Sequence, residues 1–281
     1  GFTEGNIEVK KICFEEELIE SESGTITEMS SEEVLEDYMD FVSTKVGDLK
    51  GIKVALDPGN GVGCVVVDRI FQKLGAETFS INNEPDGTFP NGVPNPMLEE
   101  NRFSTSEFIK KSGANLGIAW DGDFDRCFFF DENGQFIDGY YIVGLLAESF
   151  LAKSKGERIV HDPRLTWNTL EIIKNNHGQP IQSKSGHAFI KETMREQNAI
   201  YGGEMSAHHY FRNFSYADSG MIPWLLVLEI MCRRKISLSK LVDERIRRFP
   251  ASGEINRKVK NAPQHQDQSS IQIHLGLLRL Q

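Results

Sequence analysis

The 281-residue chain has few cysteines and no long hydrophobic runs. Its four cysteines are scattered along the chain without a CxxC pair. This spacing argues against a disulfide framework and favours buried thiols in a reducing cytoplasm. No apolar run approaches the ~18 residues that a membrane-spanning helix requires, so we expect no membrane span.

Basic residues are also in short supply, with 31 Lys and Arg against 41 Asp and Glu, for a net charge of −10. This balance argues against general nucleic-acid binding. The excess lies in residues 1–40, which hold thirteen acids and two lysines. The rest of the chain is close to neutral and can carry basic patches that bind phosphate. Its length allows two domains, and 39% apolar residues are enough for real cores.

Short apolar segments alternate with helical patterns through most of the chain. Three of these segments are typical of strands, namely Gly51 to Leu56, Ala114 to Trp120 and Cys127 to Phe130. The segment from Val62 to Leu74 is typical of a helix. The same rhythm repeats after Tyr140. Strands that alternate with helices predict an α/β fold with a parallel sheet.

The segment Trp120 to Arg126 places three carboxylates in five positions, followed by an arginine. Asp121, Asp123 and Asp125 repel one another unless a cation lies between them. Carboxylate oxygens suit Mg²⁺, which usually shares its shell with a substrate phosphate, and the Arg126 fork fits phosphate oxygens. Because this turn follows a strand, where α/β sheets place ligands, the sequence predicts a metal and phosphate site here.

The acidic and glycine-rich loops also allow other interpretations. A plain solvated turn stays open for the acidic segment. An EF-hand would use Glu132 at position twelve, but Arg126 occupies the sixth position, where glycine is needed. The glycine-rich segment from Asp57 to Gly63 has Cys64 where a dinucleotide loop needs its third glycine, so a tight strand-to-helix turn is favoured.

Glu204, Ser206 and His208 alternate along the chain after a predicted strand. In extended chain these side chains would share one face, where a carboxylate, a hydroxyl and an imidazole suit the hydroxyls of a sugar. They are also possible Zn²⁺ ligands, although no cysteine pair or HExxH motif supports that alternative.

Two more turns carry candidate phosphate contacts. Gly186 frees backbone N–H groups, and His187 and Lys191 offer proton or phosphate partners, although His187 alone is more typical of a helix start. Asp162-Pro-Arg164 ends a strand and exposes one arginine, and a plain turn explains it equally well.

Together these motifs resemble those of the α-D-phosphohexomutases, most closely the bacterial phosphomannomutase/phosphoglucomutase branch. Asp121-Gly-Asp-Phe-Asp-Arg126 is similar to the metal loop of that family, and Gly203-Glu-Met-Ser-Ala-His-His-Tyr-Phe211 to its sugar-recognition loop. Further similar segments are Ser185-Gly-His-Ala-Phe-Ile-Lys191, Asp162-Pro-Arg164, Pro85-Asp-Gly-Thr-Phe-Pro-Asn-Gly92 and Gly59-Asn-Gly61. The resemblance covers roughly residues 40–255.

The resemblance implies two consecutive α/β/α domains with mixed, mostly parallel sheets, preceded by a short helical remnant. The implied boundaries are 1–40 for the remnant of a first mutase domain, 41–139 for the second domain with the metal loop, 140–255 for the third domain with the sugar loop, and 256–281 for an atypical tail.

The resemblance also implies Mg²⁺-dependent interconversion of hexose 6-phosphate and hexose 1-phosphate, with glucose or mannose 1,6-bisphosphate as activator. Met205-Ser206 favours mannose or glucose over glucosamine phosphates, with phosphomannomutase preferred and phosphoglucomutase as the alternative. The implied metal ligands are Asp121, Asp123 and Asp125, and Arg126 steadies the transferring phosphate. The implied substrate contacts are Arg164, Gly186, His187, Lys191, Glu204, Ser206 and His208.

One departure from the family pattern affects the expected activity. The family donates a phosphoryl group from a serine loop of the form Thr-Ala-Ser-His-Asn-Pro, and this sequence contains no Ser-His pair. The fourth-domain phosphate loop is not found either. We therefore expect these 281 residues by themselves to be inactive. A non-catalytic binder of Mg²⁺ and hexose phosphate and a partly folded fragment stay open as alternatives, as does the oligomeric state.

Overall fold

The computed structural model describes residues 4–15 and 24–251. The chain divides into two compact units, residues 1–37 and residues 38–281. Helix α1 (Glu4–Glu15) lies in the first unit, and helix α2 (Ser31–Ser43) begins there and ends in the second. Glu32 and Glu33 occupy the first turn of α2, where acids stabilise the positive end of the helix dipole. The predicted tail, 256–281, lies outside the described residues.

The first sheet has the strand order β2-β1-β3-β4-β5. Strand β1 pairs in parallel with β2 and β3, whereas β4 and β5 join in antiparallel hairpins. Every residue of β3 and β4 is buried, which explains their continuous apolar sequences. The strands are β1 (Lys53–Asp57), β2 (Glu77–Ser80), β3 (Leu116–Trp120), β4 (Cys127–Phe130) and β5 (Phe136–Ile137).

The helices beside this sheet are α3 (Val67–Lys73) and α4 (Phe103–Ser112). Helix α3 starts later than the predicted Val62, because a single 3₁₀ turn occupies Val62–Val65, and a similar turn at Glu99–Asn101 precedes α4. The Val62 N–H donates to the Gly122 carbonyl at 3.3 Å, so the neighbouring loop holds the start of this segment.

The second sheet has the strand order β10-β9-β8-β6-β7. Strand β6 pairs in parallel with β7 and β8, and β9 and β10 continue the sheet in antiparallel fashion. The strands are β6 (Arg158–His161), β7 (Gln179–Gln182), β8 (Tyr201–Gly203), β9 (His209–Phe211) and β10 (Ala217–Asp218). The helices are α5 (Gly139–Lys153), α6 (Trp167–Asn175), α7 (His187–Gln197), α8 (Ile222–Arg234) and α9 (Leu238–Arg248).

The predicted fold class is confirmed, since the chain forms two consecutive α/β layers, each with a mixed sheet. Strands β5, β9 and β10 were missed, because two or three residues are too few to show a periodic pattern. The domain boundaries stay predictions. Within residues 4–15 and 24–251, we find no helix that is both long and apolar enough to cross a bilayer.

Contacts between large side chains join the two layers. The Trp120 indole donates to the Gly220 carbonyl at 2.8 Å, and the Phe71 ring stacks on Trp224 of α8 at 4.2 Å. Ala207, from the β8–β9 turn, belongs to the same apolar cluster as Phe128 of the first sheet. Burial of this surface fixes the end of the second sheet against the first. All four cysteines are free thiols; Cys127 is buried, Cys64 and Cys232 are half-buried, and Cys13 is exposed.

Candidate metal and sugar-phosphate site

The three predicted metal ligands lie together in the turn between β3 and β4. Asp121, Asp123 and Asp125 each offer an oxygen within 4.8 Å of the others. Asp121 is buried, Asp125 is half-buried and Asp123 is exposed. Within the described part of the chain, Asp125 Oδ1 is shielded from solvent and accepts no hydrogen bond. An all-oxygen set with one unsatisfied buried acceptor fits a hard cation such as Mg²⁺.

Arg126 holds the buried member of this set. Its backbone N–H donates to Asp121 Oδ1 at 3.1 Å, and its Nε–H donates to Oδ2 at 2.5 Å. Burial raises the pKa of Asp121 to about 6, while the Arg126 guanidinium opposes that rise. A cation beside Asp121 therefore favours its ionised form. The predicted contact of Arg126 with phosphate would compete with this ion pair.

Phe124 fixes the shape of the acidic turn, a role that no sequence motif predicts. Its backbone is left-handed, with φ of 65°. A Cβ on Gly63 would lie 2.3 Å from the Phe124 ring, and one on Gly220 would lie 2.3 Å from its carbonyl oxygen. Glycine at both positions therefore lets the turn lie directly against its neighbours. An aromatic residue within an acidic run is the signal that points to this role.

The Asp57 carboxylate supports the turn from the end of β1. It accepts hydrogen bonds from the Gly59 N–H at 3.1 Å, the Asn82 amide at 2.9 Å and the Thr105 hydroxyl at 2.5 Å. Gly59 has φ of 60°, which matches the predicted tight turn. A Cβ on Gly61 would lie 2.7 Å from the Gly122 carbonyl, so this loop sits directly against the acidic turn.

The predicted sugar-binding residues lie in a reverse turn between β8 and β9. The Glu204 N–H donates to the His208 carbonyl at 3.0 Å, and Ala207 is left-handed with φ of 70°. The expectation that alternate residues share one face of an extended chain is therefore wrong. The reversal of the chain brings the three side chains together instead. Ser206 Oγ lies 3.0 Å from His208 Nδ1, and Glu204 Oε2 lies 3.4 Å from the same nitrogen.

Glu204 ties this turn to the loop that precedes α7. Its Oε1 accepts from the Gly186 N–H at 2.7 Å, and its Oε2 accepts from the Tyr210 hydroxyl at 2.6 Å. Burial and the Glu204 charge raise the pKa of Tyr210, which keeps that hydroxyl protonated as a donor. His187 is exposed at the start of α7, next to Gly186.

Arg164 is connected to the same turn through Asp162. The fully buried Asp162 carboxylate accepts from Arg164 Nη2 at 2.6 Å and from the Met205 N–H at 3.0 Å. These hydrogen bonds hold the Arg164 guanidinium at an exposed position near the sugar loop. The segment Asp162-Pro-Arg164 is therefore more than a plain turn.

The two sheets meet where the acidic turn contacts the sugar loop. Asp125 Oδ2 lies 3.4 Å from His208 Nε2, and Lys191 Nζ lies 2.9 Å from Asp218 Oδ1. Burial opposes protonation of His208, but its hydrogen bond to Asp125 and the charges of Asp125 and Glu204 outweigh burial and raise its pKa. The same hydrogen bond lowers the pKa of Asp125. Asp218 and Tyr210 were not identified from the sequence, because they lie on the short strands that the periodicity did not reveal.

Two family models match the chain along its described core. Domain II of phosphoglucomutase/phosphomannomutase, an alpha/beta/alpha domain, matches residues 36–134, and domain III matches residues 138–249. These matches cover more than half of the chain. The chain belongs to the phosphoglucomutase/phosphomannomutase family. Its two sheets are thus the family's domains II and III.

Relatives at high identity carry mutase names. A Xanthomonas campestris pv. campestris (strain B100) protein named phosphohexose mutases is 56% identical over 228 residues, which cover 81% of this chain and 50% of the relative. The Escherichia coli (strain K12) phosphomannomutase is 54% identical over 245 residues, covering 85% and 54%. The chain spans about half the length of these curated relatives.

A solved structure supports the same relationship. The phosphoglucomutase/phosphomannomutase family protein from Burkholderia thailandensis superposes with a TM-score of 0.73 at 31% identity. That match covers 80% of this chain and 48% of the solved chain.

Proposed function

We propose that this chain provides the metal-binding and sugar-phosphate-binding parts of a phosphomannomutase, which interconverts mannose 6-phosphate and mannose 1-phosphate. The observation that carries the proposal is the 3.4 Å contact between Asp125 and His208, which joins the acidic turn to the sugar loop. The name of the Escherichia coli relative supports mannose as the sugar. Cytoplasmic location and activation by glucose or mannose 1,6-bisphosphate belong to the same proposal.

Asp121, Asp123 and Asp125 would hold Mg²⁺. The ion, when bound, supplies positive charge that offsets the negative charge of a phosphoryl group during transfer. Arg126 would orient the phosphate through the edge of its guanidinium that Asp121 does not use. Because Phe124 anchors the turn on Gly63 and Gly220, this arrangement is set before substrate arrives.

The sugar phosphate would lie beside the part of the site that the second sheet and its loops provide. Positive or donor groups for its phosphate come from Arg164, Lys191 and His187. The Gly186 N–H is a further candidate, and a phosphate would compete for it with Glu204, to which it donates at 2.7 Å. Lys191 is paired with Asp218 at 2.9 Å, so a phosphate would compete with that carboxylate for the ammonium. Glu204, Ser206 and His208 would bind sugar hydroxyls, although Glu204 already accepts two hydrogen bonds from the protein.

Two other functions stay in view for specific reasons. Phosphoglucomutase activity fits the same site, and the Xanthomonas relative's name does not specify the sugar. Binding without catalysis is favoured by the lack of a Ser-His pair in the 281 residues. Covalent phosphoryl transfer needs a nucleophile, and the acidic turn does not supply one.

A binding and turnover experiment separates these functions. The purified 281-residue chain would be titrated with mannose 1-phosphate and with glucose 1-phosphate in Mg²⁺ by calorimetry. We expect binding of both, tighter for the mannose compound. Tighter binding of glucose 1-phosphate would favour the phosphoglucomutase alternative, and no binding of either compound would contradict the proposal.

The turnover arm uses mannose 1-phosphate, Mg²⁺ and a trace of glucose 1,6-bisphosphate. We expect no sustained formation of mannose 6-phosphate from these 281 residues alone, because no residue matches the family's phosphoserine loop. Turnover that Asp123→Asn abolishes would contradict this expectation. It would then assign the phosphoryl carrier to a serine of this chain, with Ser183 and Ser185 as the first candidates.

A further inference from the structure

A second group of potential metal ligands lies beside the acidic turn. Asp125, His208 and Asp218 each offer one ligand atom, and these atoms lie within 4.8 Å of one another. The three residues come from three places in the chain, namely the β3–β4 turn, the β8–β9 turn and strand β10. All three are half-buried, so an ion can reach them from solvent.

The ligand set differs in chemistry from the three aspartates of the acidic turn. An imidazole nitrogen is a ligand for Zn²⁺, Co²⁺ and related ions, whereas Mg²⁺ prefers oxygen alone. The 3.4 Å separation of His208 Nε2 and Asp125 Oδ2 is close to the spacing of two ligands on a tetrahedral ion with bonds of about 2.0–2.1 Å. This pair therefore needs almost no movement to share an ion.

The surroundings of His208 resemble those of a ligating histidine. Its Nδ1 lies 3.0 Å from Ser206 Oγ and 3.4 Å from Glu204 Oε2, so that nitrogen is occupied. A carboxylate behind one imidazole nitrogen fixes the ring and directs the other nitrogen to the ion. Glu204 is itself held by Gly186 and Tyr210, which makes this support rigid.

The two carboxylate oxygens of Asp125 lie near different residues. Its Oδ2 contacts His208, whereas Oδ1 lies 3.7 Å from the Arg126 Nε that holds Asp121. One carboxylate thus belongs to both ligand sets. An ion on the histidine side would draw Asp125 away from the magnesium side, and the two ions would weaken each other's binding.

We propose that Asp125, His208 and Asp218 form a second binding site, for a divalent transition-metal ion such as Zn²⁺, that shares Asp125 with the acidic turn, and that its occupation opposes Mg²⁺ binding in that turn. The proposal does not depend on the mutase reaction. The ammonium of Lys191 now pairs with Asp218 at 2.9 Å, and the ion must displace it. Removal of that ammonium should therefore strengthen the site.

Cobalt gives a direct test, because Co²⁺ bound to nitrogen and oxygen ligands absorbs visible light. The chain would carry Cys13→Ser in every sample, so that the exposed thiol does not bind the ion. We expect saturable Co²⁺ absorption that Zn²⁺ displaces. Asp218→Asn should weaken Co²⁺ binding by about tenfold or more while it retains Mg²⁺ binding, which also shows that the variant is folded.

Asp123→Asn is the matched control, since Asp123 belongs only to the acidic turn. It should weaken Mg²⁺ binding by about tenfold or more and keep Co²⁺ binding within about twofold. Lys191→Met should strengthen Co²⁺ binding by roughly threefold or more, because it removes a competing positive charge.

Two results would overturn the proposal. Equal Co²⁺ binding by the parent and Asp218→Asn would remove Asp218 from the site. Loss of Co²⁺ binding in Asp123→Asn would place the ion in the acidic turn. A chain that binds Co²⁺ through Asp218 but does not bind Mg²⁺ would refute both the magnesium part of the proposed function and the opposition between the two ions, and it would leave only the Co²⁺ site intact.

Discussion

At the scale of single residues, Asp123 offers the cleanest test of magnesium binding. It is exposed, and its replacement leaves the buried pair of Asp121 and Arg126 in place. We predict that Asp123→Asn weakens Mg²⁺ binding by about tenfold or more, because one of three clustered charges is lost. Calorimetry measures the change, with Asp86→Asn, a half-buried carboxylate outside the acidic turn, as the control. Unchanged affinity in Asp123→Asn would exclude the acidic turn.

Glu204 is the residue whose loss should most affect sugar-phosphate binding. Its carboxylate accepts hydrogen bonds from both Gly186 and Tyr210, so Glu204→Ala removes its bond to the loop before α7 and its bond to strand β9 at once. Hydrogen bonds to a charged group contribute about 1.5–3 kcal/mol, so we predict at least about a tenfold loss of hexose-phosphate affinity. Ligand-detected NMR with mannose 1-phosphate can measure it.

The conservative variant Glu204→Gln separates the effect of the side chain's shape on sugar-phosphate binding from the effect of its charge. It keeps an acceptor for Gly186 but replaces the acceptor for Tyr210 with a donor. We expect an affinity between those of the parent and Glu204→Ala. If all three bind alike, Glu204 has no part in the site.

At the scale of elements, the contact of the 3₁₀ turn at Val62–Val65 with the acidic turn can be tested by adding one methyl group. A Cβ on Gly63 would lie 2.3 Å from the Phe124 ring. We predict that Gly63→Ala costs about 1–3 kcal/mol of unfolding free energy and weakens Mg²⁺ binding as Phe124 shifts. Gly87→Ala is the control, because nothing lies within 4 Å of its added carbon. Equal melting temperatures for the two variants would contradict this arrangement.

Strand β9 carries a buried histidine that should make the fold sensitive to acid. His209 is fully buried, its Nδ1 lies 2.7 Å from the Tyr201 hydroxyl, and its Nε2 has no hydrogen-bond partner among the described residues. Burial lowers the pKa of His209 to about 3, against 6.5 for a free histidine. The unfolded chain therefore takes up a proton below pH 6.5, and the folded chain does not.

Stability from this group is present above pH 6.5 and is lost as the pH falls toward 3. We predict a loss of about 1.4 kcal/mol per pH unit in that window. The double variant Tyr201→Phe with His209→Phe should flatten the slope measured by urea unfolding, and exposed His187→Gln should not. A slope that the double variant leaves unchanged would assign acid sensitivity to other groups.

At the scale of the molecule, the two sheets of residues 38–251 should unfold together. The Trp120 indole reaches the Gly220 carbonyl, and Trp224 stacks on Phe71. Each layer therefore depends on the other to bury part of its own core. We predict one transition when fluorescence and far-UV circular dichroism are followed in urea.

Trp224→Ala tests this coupling. It should cost about 3–5 kcal/mol, the usual loss for a large buried aromatic residue. Exposed Trp167→Ala serves as the control, with a much smaller effect. Two separate transitions in the parent chain would show that the layers fold independently.

Local sequence patterns are sufficient to predict the α/β class, most element positions and the acidic turn. These features depend on local patterns, namely apolar alternation, glycine after helices and three carboxylates in five residues. The sequence also predicts family membership, because several ordered motifs agree. Its error at Glu204–His208 has a local cause as well, since alternate spacing cannot reveal a left-handed Ala207 that reverses the chain.

Which charged side chains contact one another follows from the packing of the two sheets. Asp125 and His208 are 83 positions apart in sequence, and Asp218 joins them because β10 pairs with β9. The burial that raises the pKa of Asp121 and lowers that of His209 likewise comes from packing. Contact between distant charges and removal of water both depend on how the two sheets lie against each other, and no local pattern carries that information.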